Sequence, residues 1–128
     1  REVAAWKDLR HTNVLPFIGV FEQNSRIYML SPWMEKGELI RFLRQNPKAD
    51  RKKLLLQIAE GLRYLHTLDP VVVHGDLRGA NILITDAGEA CLADFGLSHR
   101  VINGAVEGNS TTWHAAGNPR WQAPELLK

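Results

Sequence analysis

The chain has 128 residues, 45% hydrophobic and 23% charged, proportions that exclude a disordered or fibrous polypeptide. Sixteen Lys and Arg against fourteen Asp and Glu leave a net charge of +2, too small to point to nucleic acid as a partner. One cysteine, Cys91, excludes an internal disulfide and a cysteine-built zinc site, and fits a reducing, cytoplasmic compartment.

Val3, Trp6 and Leu9 recur at helical spacing, which predicts the tail of a helix ending near His11-Thr12-Asn13. Val14 to Phe21 is the longest uncharged apolar stretch and is too short to cross a bilayer, so no membrane segment is expected. Its β-branched and aromatic content, interrupted by Pro16 and Gly19, suits an edge or bulged strand. Asn24-Ser25 marks a turn, and Ile27 to Leu30 reads as the hairpin partner. Pro32 breaks the pattern at Ser31-Pro32-Trp33-Met34. A short helix through Leu39, Ile40, Phe42 and Leu43 stops before Pro47. Asp50 caps a second helix, whose expected buried stripe is Leu54, Leu55, Ile58, Leu62 and Leu65. Val71 to Val73 is a brief buried strand; Ile82 to Ile84 and Cys91 to Ala93 flank the turn-rich Thr85 to Glu89. After Gly96 the polar, Gly/Asn-rich chain reads as a long mobile loop up to Trp121, and Trp113 and Trp121 as packing residues. Strands first and helices later give the class α+β. The first residues, with Lys7, Asp8 and Arg10, do not read as a secretory signal, and the Leu-Leu-Lys ending reads as an unfinished element: a fragment is expected.

The richest chemistry lies between His74 and Gly96. In a hairpin that sets Ile84 against Cys91 and Ile82 against Ala93, Asn81 falls opposite Asp94, with Cα atoms roughly 4.5–5.5 Å apart. An amide oxygen beside a carboxylate is a hard, oxygen-rich pair suited to Mg²⁺, which takes one or two side chains and completes its shell with phosphates and water. Asp76, five residues before Asn81, is near enough to serve a reaction centre without being a ligand. Lone loop aspartates are as readily turn or cap residues; the joint placement of three polar groups beside buried strands favours the site.

His74-Gly75-Asp76-Leu77-Arg78-Gly79-Ala80-Asn81 resembles the catalytic loop of eukaryotic protein kinases, Asp94-Phe95-Gly96 their metal-binding motif, and Ala123-Pro124-Glu125 the end of their activation segment. The three stand in the family's order. The likeness covers the whole chain and is closest to tyrosine-kinase-like Ser/Thr kinases. It implies a protein-kinase-like fold: residues 1–30 a remnant of the N-lobe, 31–37 the hinge, and 38–128 the C-lobe through the activation segment. It further implies transfer of the γ-phosphoryl group of ATP to protein hydroxyls, with ATP, Mg²⁺ and a protein substrate as partners. Asp76 would accept or orient the substrate hydroxyl, Arg78 would neutralise the transferring phosphoryl group, and Asn81 and Asp94 would hold Mg²⁺. Glu2 would pair with the ATP-anchoring lysine, Ser31 would be the gatekeeper, Met34 would offer main chain to adenine, and Leu83 would stack under it.

Gly75 replaces the arginine that usually precedes the catalytic aspartate and meets the phosphorylated loop, so phosphorylation at Ser110, Thr111 or Thr112 is not expected to be an arginine-gated switch. Asn118 stands where Ser/Thr kinases commonly carry Thr. No glycine-rich loop and no strand lysine appear in these residues, so turnover by this fragment alone is not expected. Two alternatives stay open: a pseudokinase acting as a scaffold, and a small-molecule phosphotransferase of the aminoglycoside or choline kinase type, which shares His-Gly-Asp and an Asn five residues after the Asp.

Overall fold

The structure, a computed structural model, describes residues 6–95, 99–102, 105–106, 119–121 and 123–127. Glu2, Val3, Gly96, Ser110, Thr111, Thr112, Trp113 and Asn118, on which expectations were placed, lie outside the described residues. Asn24 and Ser25 both take left-handed backbone, with φ 51° and 63°. Two such residues make the turn whose twist matches paired strands. Around it β1 (Gly19–Gln23) pairs antiparallel with β2 (Arg26–Leu30), Gln23 facing Arg26 and Gly19 facing Leu30. The strand expected at Val14–Phe21 thus starts later, because Pro16 has no N–H to offer a ladder. Val14 instead makes an isolated parallel bridge to Leu92. The first helix also stops sooner than its spacing predicts: Trp6 is its last residue, and a turn with Leu9 N–H donating to Trp6 O follows at once. The indole of Trp6 donates to the carbonyl of Leu15, which folds the next segment back under the helix end.

Helix α1 (Leu39–Gln45) begins where the Glu38 carboxylate accepts from the N–H groups of Ile40 and Arg41, at 3.0 and 2.7 Å. Helix α2 (Arg51–Thr67) begins at Asp50, which accepts from the Lys53 N–H at 3.1 Å. Each cap satisfies donors that the first helical turn leaves without a partner. The buried stripe of α2 is Leu54, Ile58, Gly61 and Leu65, narrower than expected; Leu62 is half-buried and Leu55 is 67% exposed. Gly61 explains the difference. A Cβ there would sit 2.7 Å from the Asn13 carbonyl and 3.1 Å from Leu92 Cδ1, so the helix approaches along one thin seam. Leu55, one residue or about 100° round from Leu54, falls off that seam.

Strand β3 (Val71–Val73) follows the cis Asp69–Pro70 bond and buries Val72. It pairs antiparallel with β6 (His99–Ile102), which pairs with β7 (Ala105–Val106); these short strands stand where one long loop was expected. Strands β4 (Ile82–Ile84) and β5 (Ala90–Leu92) form the hairpin at the centre of the molecule. Ile84, Ala90 and Leu92 are wholly buried, packed in one core with Trp6, Leu9, Val14, Leu15, Ile58, Leu65 and Phe95. Each large apolar side chain so enclosed contributes about 1.5–3 kcal/mol. Trp121 is 51% exposed with the Arg120 guanidinium 5.7 Å from its ring, so it is a surface residue and does not pack in the core.

Candidate active site

The β4–β5 turn decides which side chains meet. Thr85 N–H donates to Glu89 O and Gly88 N–H to Thr85 O, both at 2.8 Å, and Gly88 has φ +80°. A three-residue loop closing on a left-handed glycine sets the ladder one step away from the register expected from sequence. Ile84 faces Ala90, Leu83 faces Cys91 and Ile82 faces Leu92. Ala93 N–H then donates to Asn81 O at 2.9 Å, so Asn81 stands opposite Ala93 and not opposite Asp94. Asp94 comes one residue later, exposed, where φ of +56° turns the chain out of the strand.

Asn81 gains its place from a 3₁₀ turn, Gly79–Asn81, closed by Asn81 N–H donating to Arg78 O at 2.9 Å. Gly79 allows that turn to lie against α1, because a Cβ would meet Ile40 side-chain atoms at 2.8 Å. Buried Asn81 donates through Nδ2 to Asp76 O at 2.9 Å and to Asp76 Oδ2 at 3.0 Å. Arg78 Nε lies 3.6 Å from Asp76 Oδ1, an ion pair too long to be a hydrogen bond, and this Nε is buried with no hydrogen-bond partner among the described residues. The Asp76 side chain is only 14% exposed. The carboxylate thus has one oxygen engaged by Asn81 and the other facing a guanidinium. Gly75 makes the loop possible: its φ is +89°, a conformation that other residues adopt only under strain.

His74 joins the loop to the hairpin. Its Nδ1 accepts from Asp76 N–H at 3.2 Å and its Nε2 lies 2.6 Å from Ala93 O. Both bonds hold at once only when the proton sits on Nε2, which then donates to the carbonyl. Burial holds the His74 pKa below its usual 6.5, against upward pulls from the Ala93 bond, Asp76 and Asp94. Both carboxylates are therefore within electrostatic reach of the same ring. Phe95, wholly buried, has its ring centroid 5.0 Å from His74 and 6.2 Å from Trp6, the latter pair stacked.

Three site residues expected from sequence, Asp76, Arg78 and Asn81, are thus brought together, with Asp94 at the adjoining hairpin end. Half-buried Ser31 bonds through Oγ to Pro32 O at 3.4 Å. Met34 O accepts from Gly37 N–H at 2.9 Å. Gly37 O accepts from Ile84 N–H at 2.9 Å, and Glu38 bridges antiparallel to Leu83, so segment 31–37 ends alongside β4. Cys91 is buried, donates to Leu83 O at 3.5 Å, and has its thiol pushed up to about 11 by burial. Sequence reasoning passed over Asn13 and Gln57. Asn13 Nδ2 donates to Ala90 O, and Gln57 Oε1 accepts from Ala90 N–H, both at 2.9 Å. Gln57 had a signal: it is a polar residue at i+3 from Leu54 on an apolar stripe.

The donor set fits magnesium. Both Nδ2 bonds of Asn81 run to Asp76, which leaves the amide oxygen as the atom to face a cation, and Asp94 follows Ala93, the residue paired with Asn81.

Against known proteins, the family model for the protein kinase domain matches residues 1–128. The chain is 33% identical over 134 residues to serine/threonine-protein kinase CTR1 of Arabidopsis thaliana, covering 100% of the chain and 16% of the relative. It is 34% identical over 133 residues to the probable serine/threonine-protein kinase drkB of Dictyostelium discoideum, covering 100% and 18%. It is 33% identical over 132 residues to the putative serine/threonine-protein kinase/receptor R831 of Acanthamoeba polyphaga mimivirus, covering 99% and 8%. The chain therefore spans a small part of the relatives it matches.

Proposed function

The chain belongs to the protein kinase domain family, and on that premise we propose that its protein transfers the γ-phosphoryl group of ATP to serine and threonine hydroxyls of proteins. The observation that carries this reading is the Asp76 carboxylate, fixed by Asn81 on one oxygen and faced by Arg78 on the other. In this reading the substrate hydroxyl oxygen attacks the γ-phosphorus in line, the bond to the β–γ bridging oxygen breaks, ADP leaves, and the hydroxyl proton passes to Asp76. Asn81 stops the carboxylate from rotating, so that its acceptor oxygen stays aimed. Arg78, already desolvated at Nε, offers positive charge where the phosphoryl oxygens gain negative charge. Asn81 and Asp94 would hold Mg²⁺, which when bound supplies charge neutralisation for the phosphates. Met34 main chain and the Leu83 side chain would border the adenine ring, with Ser31 behind it. The bond from Ile84 N–H to Gly37 O and the bridge of Glu38 to Leu83, where that segment ends alongside β4, support that assignment. The choice of serine and threonine rests on the printed names of the relatives.

The test is phosphate incorporation from labelled Mg-ATP into a generic protein substrate by the full-length protein, followed by phosphoamino-acid analysis. Asp76→Asn is expected to lower turnover by about 10²–10⁴-fold without lowering the melting temperature. Equal incorporation by both proteins overturns the role of Asp76. No incorporation by either favours a scaffold.

A further inference from the structure

We propose that Gln57 is a positioning residue for the β4–β5 hairpin, whose open end carries the expected magnesium ligands, an inference that rests on the phosphoryl-transfer reading above. The argument is one of backbone accounting. Glu89 and Ala93 turn their main chain toward β4, where Glu89 O accepts from Thr85 and Ala93 N–H donates to Asn81. Ala90 and Leu92 alternate with them and turn theirs the opposite way. Leu92 N–H donates to Asn13 O and Leu92 O accepts from Leu15 N–H, both at 2.9 Å. Ala90 O accepts from Asn13 Nδ2 and Ala90 N–H donates to Gln57 Oε1, again both at 2.9 Å. Three of these four outward bonds lead to one short segment, residues 13–15. The fourth alone leads to α2.

That bond has a distinct mechanical role. The close approach at Gly61 sets how near α2 lies to β5, but apolar contact against a glycine resists sliding along the helix axis only weakly. A directional hydrogen bond fixes the remaining freedom. Helix α2 leads through β3 directly into the loop bearing His74 and Asp76, whereas the hairpin, held by Gln57 at Ala90 beside its turn, carries Asn81 and Asp94 together at its open end. Gln57 therefore ties the element that presents the proton acceptor to the element that presents the metal ligands. It touches neither substrate nor cation itself.

The experiment uses the full-length protein and a fluorescent N-methylanthraniloyl ATP, titrated at a series of Mg²⁺ concentrations. Gln57→Met keeps the length of the side chain and removes the acceptor. It is expected to raise the Mg²⁺ concentration for half-maximal nucleotide binding about three- to tenfold, the factor set by one hydrogen bond of ordinary net strength. Gln57→Glu, which keeps an acceptor oxygen, should restore the wild-type requirement. Asp50→Ala weakens α2 at its far end and should lower the melting temperature while leaving the Mg²⁺ requirement unchanged. An unmoved requirement in Gln57→Met, or an equal shift in Asp50→Ala, overturns the positioning role. Failure of the wild-type protein to bind the analogue overturns the phosphoryl-transfer reading, and this assignment with it.

Discussion

The two hairpins β1–β2 and β4–β5 are built on the same antiparallel pairing but are held in opposite ways. The first has five residues in each strand and exposes Val20, Phe21, Ile27, Tyr28 and Leu30 by 43% or more. The second has three in each strand, yet Ile82, Ile84, Ala90, Cys91 and Leu92 are all buried. Strand length therefore does not decide which ribbon is firm. What differs is the surroundings: β4–β5 has α2 on one face, residues 13–15 along one edge and Gly37–Glu38 along the other. Chemistry that needs groups held within a fraction of an ångström calls for a ribbon that its neighbours over-determine, and the candidate site adjoins β4–β5.

The sharpest way to break this comparison is to truncate one large side chain in each ribbon and follow urea unfolding of the 128-residue chain. Leu92→Ala is expected to cost about 2–5 kcal/mol, because wholly buried Leu92 leaves a cavity that α2 and residues 13–15 cannot fill. Ile27→Ala, at a site 67% exposed, is expected to stay within about 0.5 kcal/mol of wild type. Comparable costs would mean that β1–β2 is covered as tightly as its counterpart. Next in size is Gly61→Ala. The added methyl would press on the Asn13 carbonyl at 2.7 Å, main chain that cannot turn aside, and should cost about 1–3 kcal/mol by the same measurement. A neutral or stabilising result, as helix propensity alone would give, would show that the seam yields.

The smallest effect sharpens the comparison through acidity. Because burial lowers the His74 pKa, the unfolded chain takes up a proton before the folded one as pH falls. The stability tied to neutral His74 is therefore complete above about pH 6.5 and declines below it, by at most about 1.4 kcal/mol per pH unit for one site. Unfolding midpoints taken from about pH 7.5 down to about pH 5.5 should show the advantage of wild type over His74→Asn shrinking across that interval. A constant gap would place the ring in contact with water.

Local features were legible in the sequence and cross-strand features were less so. The caps at Asp50, the Asn24-Ser25 turn and the clustering of Asp76 with Arg78 and Asn81 depend on residues within a few positions of one another, and each can be read from residue type and spacing. The hairpin register could not be read in the same way. It turns on whether Gly88 closes a three-residue loop in left-handed backbone, and one step there exchanges Asp94 for Ala93 opposite Asn81. Leu55 misled for a related reason: periodicity marks a helix face, but how wide a strip is covered depends on how close Gly61 lets the neighbour come. Glu2 and the Gly96 end of its motif lie outside the described residues.

The enclosed thiol of Cys91 has a practical use. With its pKa pushed up to about 11 and its hydrogen on Leu83 O, roughly one molecule in ten thousand carries the thiolate at neutral pH. An alkylating reagent thus modifies this residue during excursions that uncover the core around it. The rate of labelling becomes a clock for how often the central ribbon breathes, read at the one thiol of these 128 residues.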